Sequence, residues 1–200
     1  MKAEFTEEMI GFYTPGAPAY DAGYVTGQRD RRSLMFRLTV GTADLTRMLA
    51  DPDHRMAARG FVRCAELGSA DMPVTRGTVD LFTPGRLPGR LAMRYRLPFD
   101  SDRGPMTLLG VKDVGDDRGV DVWTDTTTLF TRLVPAADAD FDHSDDDEFA
   151  RGILRLNAPM FARQLTTLRG DPLGLVRFGW FFTGRLIAAY GRPSAVDIRP

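Results

Sequence analysis

The stretch Leu91-Ala92-Met93-Arg94-Tyr95-Arg96-Leu97-Pro98-Phe99 decides the fold. Met93, Tyr95, Leu97 and Phe99 share one side of an extended chain and Arg94 and Arg96 the other, the period of two that puts one face in a core and one in water. A strand wet on one face belongs to an antiparallel sheet, because parallel sheets bury both faces. Working outward, MAARGFVRCAEL, VTRGTVDLF, PMTLLGVKDV and VDVWTDTTTLFTRLV read as further strands, separated by the short breaks GSADMP, TPGRLPG, DSDRG and GDDRG. Such connections are too short for parallel crossovers, so the order is a meander. SLMFRLTV adds a strand before it and ARGILRLN one after. Six to eight antiparallel strands closed into a lipocalin-like barrel are the expected architecture, since closure removes the sheet's edges. A helix laid on an open sheet is the other economical solution.

Helices are expected at two places. Thr42 can cap a short early helix carrying Leu45, Met48 and Leu49 on one side, stopped by Asp51-Pro52. Asn157 and Pro159 open a second at residues 157 to 168, which Gly170 ends. Residues 172 to 190 fit a helical stripe of Leu173, Val176, Trp180, Ile187 and Tyr190 and also a period of two. The helical reading is preferred. Residues 1 to 32, with TPGAPAYDAG and QRDRR, read as an irregular arm; residues 33 to 192 form a single domain and 193 to 200 a tail.

Lys+Arg 26 against Asp+Glu 27 gives a formal charge of -1, so no overall field attracts nucleic acid or an anionic membrane. The N-terminus has no signal-type apolar run, and GLVRFGWFFTGRLIAAY is too interrupted to span a bilayer, so a cytoplasmic location is expected. The lone Cys64 reads as a buried hydrophobe. No dinucleotide, P-loop, zinc-protease or hydrolase-elbow motif occurs, so neither cofactor nor metal is expected. His54 follows the early helix as a terminal cation or a proton carrier, and DADFDHSDDDE, with His143, reads as a solvated loop.

Candidate chemistry lies on the later strands. Trp123, Asp125, Thr127 and Leu129 would share one face, an acid and a hydroxyl among apolar groups, as in a pocket wall. Asp125 facing inward would be a candidate acid or base; facing outward it would sit in a surface ion pair beside an exposed threonine ladder. Lys112 is one of two lysines. Turned inward it would pair with Asp125, with Tyr95 completing a proton-transfer group; turned outward it would guard a strand edge. The ligand wall would be Met93, Leu97, Phe99, Trp123, Thr127 and Leu129.

FRLTV, DLTRMLADPDH, ARGFVRC, RGTVDLF, MRYRLPF, LLGVKDV and DVWTDTTTLFTRL, in that order, resemble an accessory domain attached to bacterial flavin oxidoreductases of the glucose-methanol-choline type, often labelled cholesterol oxidases. The resemblance covers most of residues 34 to 190. It implies company with sterol-like or polyketide-like compounds but no oxidase chemistry, since the flavin fingerprint is missing. Two functions follow as expectations. One is binding of a hydrophobic small molecule in a barrel cavity, with a cofactor-independent cyclisation or isomerisation as the accessible chemistry. The other is an interaction module that docks on an oxidoreductase or on a second copy through the aromatic C-terminal segment.

Overall fold

The computed structural model describes residues 1–85, 90–115, 126–142, 148–156, 164 and 166–190. Eight antiparallel strands close into a barrel: β1 (Ala3–Pro15), β2 (Ser33–Thr42), β3 (Arg55–Cys64), β4 (Met72–Pro84), β5 (Leu91–Ser101), β6 (Gly104–Val114), β7 (Thr128–Val134) and β8 (Ala150–Arg155). Each strand pairs with the next, and β1 shuts the ring by pairing with both β2 and β8. A two-residue strand, β9 (Arg169–Gly170), adds to the start of β1. Among the described residues, three helices have full bounds: α1 (Tyr20–Arg29), α2 (Leu45–Ala50) and α3 (Pro172–Tyr190).

The strand expectations hold for β2 through β6 and for β8. In β5, Met93, Tyr95, Leu97 and Phe99 are buried, while Arg94 and Arg96 look outward. Their partners on β6 are Lys112, Gly110, Leu108 and Met106, so these also face the lumen. The expected strand over residues 120–134 is shorter: Thr126 and Thr127 form a helical turn and β7 begins at Thr128. Trp123 and Asp125 lie outside the described residues, as do Asn157 and Pro159 and the tail. The cap of α2 is Asp44 rather than Thr42: its carboxylate accepts from the amides of Thr46 and Arg47 at 3.1 and 3.2 Å. Residues 172–190 are helical.

Residues 1–32 are not an arm. They supply the strand that closes the barrel and a helix on its outer wall. Ala3, Phe5, Glu7, Met9 and Tyr13 face the lumen from β1. Gly23 and Gly27 let α1 lie flush on the wall, where any side chain would overlap the carbonyls of Arg151 and Tyr13. Nor is the acidic segment wholly solvated: the side chain of Glu148 is only 5 % exposed, accepting from Arg151 Nε at 2.6 Å, with Arg132 3.6 Å away.

The lumen is a side-chain core. Inward residues of all eight strands join one contiguous apolar cluster, Cys64 among them. A Cβ at Gly110 would come within 2.9 Å of Leu129, so the space opposite Tyr95 is already filled. Burying one large apolar side chain stabilises by about 1.5–3 kcal/mol, which makes this cluster the principal support of the fold. The helix α3 closes one end. Phe178 packs on Phe5, with ring centroids 6.1 Å apart, and Phe181 and Phe182 pack on Phe82 at 5.8 and 5.1 Å. Phe82 lies at an irregularity in the β4–β5 register with φ 53, a left-handed conformation unusual for a bulky residue; its ring is a platform for α3.

Candidate functional site

Two residues below the mouth on β1, behind Phe5, a carboxylate points into the apolar core. Glu7 is 1 % exposed. Its Oε1 meets Lys112 Nζ of β6 at 2.5 Å, and its Oε2 accepts from the Tyr95 hydroxyl of β5 at 2.8 Å. Lys112 and Tyr95 are 3 % and 2 % exposed, and the ammonium also sits 5.1 Å from the centre of the Tyr95 ring. Phe36 stacks on that ring at 6.0 Å. The three residues come from strands that are not all neighbours; barrel closure brings them together across the lumen.

Burial, reinforced by the Glu7 charge and by the hydrogen bond to it, holds the Tyr95 phenol well above its ordinary range. Tyr95 therefore keeps its proton at neutral pH and acts as a donor. The salt bridge and the phenol form a connected acceptor–donor–donor group in a low-dielectric surrounding, where electrostatic contacts are strong and unpaired charge is costly.

Of the residues picked from the sequence, the structure joins Lys112 and Tyr95 and turns both inward. The acid that unites them is Glu7, which sequence reasoning missed. Met93, Leu97, Phe99 and Leu129 lie in the same core cluster. Thr127 is buried at the mouth, where its carbonyl accepts from the Leu156 amide at 2.8 Å. His54 is at the mouth as well: its ring packs on Phe181 at 4.8 Å and its Nε2 lies 3.1 Å from Arg185 Nη2 of α3. Arginine can only donate, so Nε2 accepts and His54 is neutral in this contact. It is no terminal cation. Burial, helped by the Arg185 charge, lowers its pKa, against an opposing pull from the Leu81 backbone, Asp51 and Asp53.

A second polar chain occupies the opposite end. Cys64 Sγ donates to the Tyr13 hydroxyl at 3.0 Å, Tyr13 donates to Glu66 Oε2 at 3.0 Å, and Glu66 pairs with Arg32 at 2.9 Å. Beside it is a hollow of about 290 Å3. A larger one, about 660 Å3, lies on the outer wall of β5–β7 between Tyr20, Arg94 and Phe141. Among the described residues no group of three or more His, Cys, Asp or Glu is placed to hold a metal ion. Comparison with known protein families, with curated proteins and with solved structures finds no match for this chain. The geometry defines a closed antiparallel barrel with a helix over its mouth and an acid–lysine–tyrosine group sealed in its core.

Proposed function

We propose that the packed barrel opens at its α3-covered mouth to admit a hydrophobic small molecule in place of part of the side-chain core, and holds the ligand's one polar group against Glu7, Tyr95 and Lys112. The observation that carries this reading is the sealed trio itself. An ion pair in an apolar core contributes little net stability compared with hydrophobic residues of the same volume, so its presence favours a task other than holding the barrel together. Tyr95 and Lys112 offer donors to a hydroxyl or carbonyl oxygen, and Glu7 offers an acceptor. On a reactive ligand the same groups perform a proton shift without a cofactor: Glu7 takes a proton from carbon or oxygen while Tyr95 or Lys112 delivers one elsewhere. Isomerisation and cyclisation are the reactions of that kind, with orientation by the wall residues Met93, Leu97, Phe99 and Leu129 adding to the rate. Thr127 would extend the wall at the mouth. The likeness of residues 34 to 190 to a domain that accompanies cholesterol oxidase-type flavoproteins supports sterol-like or polyketide-like ligands.

Native mass spectrometry tests the proposal on the full chain, as purified and after incubation with sterols and aromatic polyketides. Wild type should carry a small-molecule adduct that the double variant Glu7→Gln/Lys112→Met loses while its circular dichroism is unchanged. Failure of wild type to retain any of these compounds, or equal retention by the double variant, would sink the assignment. The alternative, a docking module, draws its support from the outer face of α3, where Trp180 is 76 % exposed.

A further inference from the structure

The helix α3 has two unlike faces. Phe178 and Ala189 are buried, and Phe181, Phe182 and Leu186 are packed against the core. The opposite face shows Leu173 (63 %), Val176 (56 %), Trp180 (76 %) and Ile187 (66 %), with Thr183, Gly184 and Ala188 completing it and Arg177 as its charge. The sequence from Pro172 to Tyr190 contains no carboxylate; its charges are Arg177 and Arg185. Arg185 is engaged with His54, which leaves Arg177 facing outward one turn from Trp180.

From these features we infer that the outer face of α3 docks on an anionic lipid surface. An exposed apolar stripe centred on tryptophan, flanked by arginine and free of acids, matches the boundary between acyl chains and negatively charged headgroups. A second copy fits less well: the same face on a partner offers no carboxylate to answer Arg177, whereas an anionic headgroup does. The net charge of -1 gives no long-range attraction, so the contact is local and reversible, and its anionic preference comes from Arg177.

This deepens the ligand-handling reading, because the face lies over the mouth of the lumen, where an apolar ligand would pass between bilayer and barrel. The test does not depend on that reading. The full chain is floated with vesicles of phosphatidylcholine alone and of phosphatidylcholine with about a third phosphatidylglycerol. Wild type should float with the second kind, and with the first about tenfold less. Val176→Glu/Trp180→Glu should lower partitioning into the anionic vesicles about tenfold or more, and Arg177→Glu should abolish the preference for anionic lipid. Circular dichroism checks each variant, and Trp180→Gln replaces the double variant should that one misfold. Wild type staying with the aqueous phase for both vesicles, or variants floating as wild type does, overturns the inference. So does a wild-type dimer that Trp180→Gln converts to monomer, which would give the face to a second copy. None of these outcomes bears on adduct retention by the lumen trio, so the two ideas fail separately.

Discussion

The two ends of the barrel each carry a tyrosine, a carboxylate and a cation on the lumen side, yet they are built on opposite terms. Near α3, Tyr95, Glu7 and Lys112 are sealed from water on every side. At the far end, Tyr13 is equally buried, but its chain runs through Glu66 to Arg32, whose side chains are 32 % and 35 % exposed. Water can screen the second ion pair and not the first. The same chemistry should therefore be robust to mutation at one end and fragile at the other.

The largest effect expected is at the sealed end. Lys112→Ala leaves Glu7 without its cation, held only by Tyr95, and destabilisation by about 3–5 kcal/mol should appear in urea unfolding. The double replacement Glu7→Gln/Lys112→Met should recover most of that loss. If Lys112→Ala alone melts like wild type, the trio is not sealed as described. Tyr95→Phe removes one donor to Glu7 and should lower stability by about 1–3 kcal/mol. It should also flatten alkaline unfolding. A phenol held above its ordinary value favours the fold fully below about pH 10, and that contribution drains away as pH rises further. Tyr13→Phe removes a hydrogen bond that water can partly replace and should cost about 1 kcal/mol; an effect as large as that of Tyr95→Phe would erase the contrast between the ends. Arg32→Ala, at the surface, should change stability by only about 0–1 kcal/mol. The mouth should respond to pH through His54. Its folded pKa is lowered, so the stability tied to its neutral form is present above the unfolded value of about 6.5 and is lost as pH falls below it. Thermal melts from pH 7.5 to 5 should slope in wild type and flatten in His54→Phe; parallel curves would show that the Arg185 contact does not govern the mouth.

Much of the barrel is legible in the sequence because β5 obeys the simplest rule, apolar inward and charged outward, and short turns separate it from its neighbours. β1 breaks that rule. In AEFTEEMIGFYTP the inward set contains Glu7 and the outward set contains Ile10 and Phe12, so alternation is blurred. Phe12 is apolar on the outside because α1 covers it, with Tyr24 stacked edge-on at 5.7 Å. Glu7 is inward because of a lysine 105 residues away, a relation no local pattern carries. Lys112 and Tyr95 could be picked from strand periodicity, whereas their acid could not. A carboxylate reads as solvated until its partner is placed, and closure of the ring is what places it. His54 was equally hidden: its environment is made by α3 from the far end of the chain.

The first of the eight barrel strands in chain order is also the strand that shuts the ring, and it is the one that carries Glu7. Until β8 has emerged and met Pro15 to Ile10, the growing sheet has two bare rims, each able to recruit a strand from another molecule. Glu7 reaches Lys112 across the lumen of the closed ring, so the buried ion pair and the sealed rims belong to the same finished structure. Deleting residues 3 to 12 would do more than remove a strand: it would leave the Lys112 charge stranded in oil and an open ribbon ready to polymerise.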